Sequence, residues 1–186
     1  MSLSALPNAI CIGRMLLIVP IAVALTRGSY SVALGLFVVA GLSDALDGYL
    51  AKRFGWTSEL GAILDPLADK LLLMTMFVVL AFAGHIPVWL AATAIGRDLL
   101  IVAGAAVYRL HTGALRGAPT RISKLNTLLQ LCYVLAVIAA RAWPFVPAWL
   151  IVWTGAGAFV TTVVSGLDYI LTYARRAARA ARPAGA

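Results

Sequence analysis

Six predominantly apolar stretches follow one another along the chain, at residues 8–26, 31–51, 59–83, 87–109, 121–141 and 147–173. A helix crosses the hydrocarbon of a bilayer with about 20 apolar residues, so each stretch is long enough to span. Inside lipid the backbone must satisfy its own hydrogen bonds, and an apolar run of this length does so as a helix. The connections are short and carry helix breakers: Gly28; Gly55 beside Trp56; Gly84, His85 and Pro87; Gly113, Gly117 and Pro119; Pro144 and Pro147. Composition agrees, with 62% hydrophobic and 12% charged residues. Soluble domains hold about 45–50% and about 25% respectively. The expected fold is an all-α membrane protein of six transmembrane helices. There is no internal repeat. One transmembrane domain is expected over residues 1–174, followed at 175–186 by a basic, Ala/Arg-rich cytoplasmic tail that frays.

The formal net charge is +8. Such a balance fits nucleic acid or an anionic membrane surface. Here the bases sit in short loops and a tail, with no basic face interleaved with exposed aromatics, so membrane lipids are the expected partner and nucleic acid is not. The second connection carries Lys52 and Arg53, the fourth Arg109, Arg116, Arg121 and Lys124, and the tail Arg175, Arg176, Arg179 and Arg182. The first and fifth offer only Arg27 and Arg141, and the third has no Lys or Arg. By the positive-inside rule the even connections and both termini face the cytoplasm. Cys11 and Cys132 lie far apart in apolar segments and read as core residues rather than a disulfide or metal motif. The first apolar segment carries Arg14 and has no convincing cleavage site, so no removable leader is expected.

The acidic residues carry the chemistry. The chain has seven, and four aspartates fall between positions 44 and 69. Carboxylates in apolar helices are costly and are functional candidates by default. Asp44 and Asp47 are spaced i, i+3 and Asp65 and Asp69 i, i+4, so each pair shares a helix face. A short turn joins the two helices, which therefore run antiparallel and bring both pairs to similar depth near the cytoplasmic end. Four carboxylates converging there would raise one another's pKa values and take up protons. Divalent cations resolve that conflict, and hard oxygen ligands suit Mg²⁺ or Mn²⁺. Two such ions, bridged by carboxylates, clamp a pyrophosphate and stabilise attacking and leaving oxygens. Gly48 follows Asp47, and Gly61 lies one turn before Asp65; either lets a ligand or a neighbouring helix approach the backbone.

From Asp44 to Asp69 the sequence reads DALDGYLAKRFGWTSELGAILDPLAD. This resembles the signature of the CDP-alcohol phosphatidyltransferases, D-x2-D-G-x2-A-R-x8-G-x3-D-x3-D, with every spacing kept. Lys52 stands where the family usually has Arg, which keeps the charge and loses the bidentate fork. The resemblance implies six transmembrane helices, commonly in a homodimer. It implies that Asp44, Asp47 and Asp65 bind divalent metal and position the donor pyrophosphate, and that Asp69 is general base and metal ligand. Gly48, Ala51, Lys52 and Gly61 would lie with Asp44 and Asp47 against the CDP group. Pro7, Asn8 and Arg14 resemble the family's first-helix pattern, with Cys11 replacing a Thr or Ser. The runs LDPLADKLL, IPVWL, RDLLIV and PTRISKLNTLLQ make the chain most similar to the CDP-diacylglycerol-dependent cardiolipin synthases. The related phosphatidylglycerophosphate synthases more often show RE in the fourth helix and G-K-x-K-T opening the fifth. The setting implied is a bacterial inner membrane, with the site facing the cytoplasm.

The acceptor pocket is drawn from the remaining bases. Arg97 lies mid-helix beside Asp98 and is expected to bind the acceptor's phosphate, with a structural ion pair as the alternative. Arg121 and Lys124 open the fifth helix and bind a lipid phosphate or set topology; Asn126 and Thr127 line the same pocket. Arg14 reaches the acceptor or a carboxylate, or snorkels. Lys70 points away from Asp69, His85 is a solvated loop residue, and Asp168 is assigned no role, with pairing across helices the reading open to it. Trp89, Trp143 and Trp149 are interface anchors. The expected reaction is transfer of a phosphatidyl group from CDP-diacylglycerol to phosphatidylglycerol, giving cardiolipin and CMP. Glycerol 3-phosphate is the alternative acceptor, and its phosphate would want the same bases. A divalent-cation transporter is the competing class, disfavoured because the aspartates cluster near one membrane face.

Overall fold

The structure is a computed structural model and describes residues 6–54, 59–112 and 121–180. These form six α-helices and, among the described residues, no strand: α1 (Leu6–Thr26), α2 (Tyr30–Phe54), α3 (Glu59–Phe82), α4 (Val88–Thr112), α5 (Arg121–Ala142) and α6 (Ala148–Ala180). The helices fall on the six apolar stretches. Four run on past them: α2 and α4 by three residues, α5 by one, and α6 through Arg175, Arg176 and Arg179, where a fraying tail was expected. Ala and Arg are strong helix formers, and a helix already nucleated propagates through them.

Two glycines set the tight turns. Gly28 and Gly84 have φ of 74° and 71°, the left-handed region that costs a side chain strain. Ser29 N–H donates to Ala24 O at 2.8 Å and Gly28 N–H to Leu25 O at 3.1 Å. His85 N–H to Leu80 O at 2.9 Å and Gly84 N–H to Ala81 O at 3.0 Å repeat the pattern. Both are Schellman caps, which satisfy the last carbonyls of α1 and α3.

α1 packs against α2 and α3; α6 packs against α4 and α5; the two groups meet where α2 touches α5 and where α3 touches α4 and α5. The apolar core joins Ile21 and Leu25 of α1, Phe37 of α2, Leu72, Met76 and Leu80 of α3, and Val134 and Ile138 of α5. Leu72, Met76 and Leu80 recur at four-residue spacing, which lines them along one face of α3. Small residues admit large ones at the α6 seams. A Cβ added at Gly155 would lie 2.8 Å from the Tyr133 ring, and one at Gly104 would lie 2.8 Å from the Tyr169 ring. Close approach at glycine is the usual source of helix–helix contact in lipid, where burial of apolar surface gives no net drive.

Polarity runs opposite to that of a water-soluble bundle. Leu16, Leu42 and Val152 are between 65% and 69% exposed, while Arg14, Arg97, Asp98, Asn126 and Gln130 are buried. Two helical stretches, Ile122–Ala142 and Ala148–Thr172, are long and apolar enough to cross a membrane on length and composition. Among the described residues α1 and α2 contribute the apolar stretches Ile10–Thr26 and Tyr30–Asp44.

Candidate active site

Because α1 lies against both α2 and α3, one side chain on its inner face can serve both. That side chain is Arg14. Its Nη1 donates to Asp69 Oδ1 at 2.6 Å and also to Asp44 Oδ1, and its Nη2 lies 3.9 Å from Cys11 Sγ. Arg14 is buried, whereas the Asp44 and Asp69 side chains are 41% and 42% exposed. The carboxylates therefore open to a solute while the guanidinium beneath them is sealed by packing. Arg14 was expected to reach the acceptor or a carboxylate; the structure places it on two carboxylates.

Asp47, Gly48, Ala51 and Lys52 lie on the helical backbone of α2, and Gly61 and Asp65 on that of α3. Their side chains lie outside the described ones. Helical register sets Asp47 one turn from Asp44 and Asp65 one turn from Asp69. Among the described residues no three metal-ligating side chains come together. The pair that is described fits a divalent cation in its chemistry. Two carboxylates from different helices turn toward one positive centre, and both offer hard oxygen donors of the kind Mg²⁺ and Mn²⁺ take.

A second ionic cluster starts at the very next residue. Lys70 Nζ donates to Asp98 Oδ1 at 2.6 Å, and Arg97 Nη1 donates to the same oxygen at 2.7 Å. Arg97 Nη2 donates to Ser123 Oγ of α5 at 2.8 Å and to Ser165 Oγ of α6. One guanidinium thus bonds from α4 to both α5 and α6. Lys70 does point away from Asp69, as its register requires, but its target is the buried Asp98. Lys124 is exposed, one position round the helix from Ser123, and the side chain of Arg121 lies outside the described ones.

Further along the α5–α6 seam, Asn126 Oδ1 accepts from Thr162 Oγ1 at 2.8 Å and from Thr161 Oγ1 at 3.0 Å. Gln130 Nε2 donates to Thr162 Oγ1 at 3.3 Å. Thr127 Oγ1 bonds to its own helix, at Ser123 O. Asn126 thus joins a polar seam with α6, while Thr127 bonds within α5. Ser123, Ser165, Thr161, Thr162 and Lys70 were missed as members of these networks. A signal existed in α5, where polar residues at 123, 126 and 130 recur at i, i+3 and i+7 on one face of an apolar helix. At the opposite end His85 is no solvated loop residue: its Nε2 lies 2.7 Å from Tyr30 Oη, with the rings edge to face. Burial and the positive charge of Arg141 push its pKa below the ordinary imidazole value.

Comparison with known proteins bears on this arrangement. Residues 4–173 match the family model described as CDP-alcohol phosphatidyltransferase. A human protein named cardiolipin synthase (CMP-forming) is 36% identical over 151 residues, covering 73% of this chain and 50% of its own. A Drosophila melanogaster protein named probable cardiolipin synthase (CMP-forming) is 29% identical over 189 residues, covering 91% of this chain and 58% of its own. A Mycobacterium tuberculosis protein named probable phosphatidylglycerophosphate synthase is 31% identical over 140 residues, covering 75% of this chain and 64% of its own. The chain spans about half the length of the cardiolipin synthases it matches.

Proposed function

Because this chain belongs to the CDP-alcohol phosphatidyltransferase family, we propose that it moves the phosphatidyl group of CDP-diacylglycerol onto phosphatidylglycerol, forming cardiolipin and CMP. The observation that carries this reading is the pairing of two neighbouring charged sites: Asp44 and Asp69 turned toward one cation, and Arg97 held beside Lys70 one residue further along α3. The first suits a metal-bound pyrophosphate; the second suits an acceptor that carries its own phosphate.

Asp44, Asp47, Asp65 and Asp69 would hold the divalent metal, Mg²⁺ or Mn²⁺, with two ions expected. Bound there, it would neutralise the pyrophosphate and stabilise charge on the attacking and leaving oxygens. Arg14 fixes the Asp44 and Asp69 carboxylates in their orientation. Asp69, which is open to solutes, takes the proton from the acceptor hydroxyl. The oxygen so freed attacks the phosphorus that carries diacylglycerol, the bond from that phosphorus to the bridging pyrophosphate oxygen breaks, and CMP leaves with the electron pair. Gly48, Ala51, Lys52 and Gly61 are assigned to the CDP group. Arg97 is assigned to the acceptor, with Lys124 and Arg121 guiding an anionic headgroup at the α5 entrance. Arg14 is reassigned from the acceptor to the carboxylates, on the strength of its two bonds there.

Six membrane-spanning helices are part of the reading, supported by lipid-type polarity around all of them. Cytoplasmic termini and a cytoplasm-facing site rest on the distribution of Lys and Arg. A bacterial inner membrane and a homodimer are carried as proposals, the latter to be weighed by the mass of the detergent-solubilised protein. The runner-up acceptor is glycerol 3-phosphate, favoured by the mycobacterial relative. The transporter reading draws no support from the family.

The experiment is an acceptor screen: CMP release from CDP-diacylglycerol by purified protein, with phosphatidylglycerol and glycerol 3-phosphate supplied separately and the lipid product identified by mass. Cardiolipin formation supports the proposal. Turnover with glycerol 3-phosphate and none with phosphatidylglycerol overturns the acceptor, while the family stands.

A further inference from the structure

Asp98 sits where α3 meets α4 and is only 3% exposed. Its Oδ1 accepts from two cations at once, Lys70 at 2.6 Å and Arg97 at 2.7 Å. No other carboxylate pairs with either cation among the described residues. The cluster therefore carries one surplus positive charge, and the Arg97 side chain is 4% exposed. Asp98 answers the buried Arg97, and the surplus charge lies with Lys70 at the part-exposed side of the cluster, where an anion would balance it.

Two further observations say where an anion would bind. Arg97 Nε is buried and has no hydrogen-bond partner, although a buried donor left unmade carries its full desolvation cost. The same guanidinium is prevented from turning by Ser123 and Ser165, which hold its Nη2. Lys70 is 30% exposed, so its ammonium forms the open side of the cluster. It follows Asp69 directly, with Cα atoms about 3.8 Å apart. At 3.6 residues per turn, successive side chains diverge by about 100°. Asp69 accordingly faces α1 and Arg14, while Lys70 faces α4 and Asp98.

We propose that Lys70, together with Arg97, is a ligand for the phosphate of the acceptor, and that Asp98 is the positioning residue that holds the two cations as one seat. The seat deepens the proposed function and rests on it for the identity of the acceptor. Its chemistry is recognition of a phosphate oxygen by a lysine ammonium and a locked guanidinium, which is charge-assisted at both contacts. A phosphodiester lipid and a free phosphomonoester both carry that group.

The test uses the full chain, purified in detergent, with Lys70→Ala, Asp98→Asn and Asp98→Glu. Initial rates of CMP release are measured with acceptor varied at saturating CDP-diacylglycerol, then with donor varied. Lys70→Ala and Asp98→Asn are expected to raise the acceptor KM by about tenfold or more, the loss of one charge-assisted contact, with the donor KM within about twofold. Asp98→Glu should recover most of the loss. Equal rises in both KM values overturn the proposal, as does a fall in kcat alone, or an Asp98→Glu variant no better than Asp98→Asn. If wild-type protein works with glycerol 3-phosphate and not phosphatidylglycerol, the functional reading fails and the seat is judged by the same ratios with that acceptor. If only an alcohol lacking phosphate supports turnover, the seat is overturned. Native mass spectrometry gives a readout free of catalysis. The wild type should retain phosphatidylglycerol in preference to diacylglycerol, and Lys70→Ala, part-exposed and tolerant of truncation, should lose that preference. An unchanged preference also overturns the seat.

Discussion

Replacing Arg14 by Met keeps much of the buried volume and removes the cation shared by Asp44 and Asp69. Breaking a buried ion pair by deleting one partner costs about 3–5 kcal/mol. Here the charges left behind sit on side chains 41% and 42% exposed, where water and salt screen them. The cost should fall accordingly, to about 1–2 kcal/mol, nearer the surface-pair range. For a chain of this size that corresponds to a drop in unfolding midpoint of about 2–8 °C. A divalent metal supplies the missing positive charge, and a ligand that binds only the folded state adds stability by mass action. The drop should therefore be large in a chelator and much smaller with excess Mg²⁺ or Mn²⁺. The assay is thermal unfolding of the purified protein in detergent, at one fixed scan rate, with and without metal. An equal drop in both conditions would refute the view that Arg14 and the metal answer to the same carboxylates, as would no drop in the chelator.

Asp69→Asn should leave the protein folded, by midpoint and elution profile, while removing most CMP release; a near wild-type rate excludes Asp69 as the base. Asp44→Ala, Asp47→Ala and Asp65→Ala should each abolish turnover, and chelated wild type should regain it with Mg²⁺ or Mn²⁺; full activity after exhaustive chelation rejects a metal mechanism. A cysteine placed at Phe54 should react with a membrane-impermeant reagent only from the cytoplasmic side, and labelling from outside would reverse the topology. His85 has a lowered pKa, because burial and Arg141 disfavour its charged form. Its contribution to stability is thus whole above the ordinary value of about 6.5 and is lost as pH falls through the folded value. Unfolding midpoints between about pH 5 and 7.5 should show that loss in wild type and a flatter profile in His85→Gln; parallel profiles would count against it.

What could be read in the sequence was what repeats locally. Apolar length located all six helices, because bilayer thickness dictates it, and four aspartates at i, i+3 and i, i+4 announced two shared faces. What joins those faces was out of reach. Arg14 is 30 residues from Asp44 and 55 from Asp69, and its choice between lipid headgroup and carboxylate depends on α1 packing into the α2–α3 groove. Lys70 was read correctly in direction, and its partner Asp98 was out of reach, since periodicity gives an angle but not the neighbour found there. His85 looked solvated because loops usually are; its partner Tyr30 lies across the bundle end, at the start of α2. The apolar sixth helix offered little as a motif, yet its Thr161, Thr162 and Ser165 bond to polar groups on α4 and α5.

The way the helices touch divides the labour of the bundle. Among the described residues α1 packs on α2 and α3, and α6 on α4 and α5, so the chain forms two three-helix groups in sequence order, joined where α2 meets α5 and α3 meets α4 and α5. The leading half carries Arg14, Asp44 and Asp69, and the trailing half carries Arg97, Asp98 and the α5–α6 polar seam. Lys70 is the one described cation reaching from the first half into an ion pair of the second. Exchanging halves between relatives at the Gly84–Pro87 turn should therefore carry the Arg14, Asp44 and Asp69 group intact, while the Lys70–Asp98–Arg97 cluster is made from both halves.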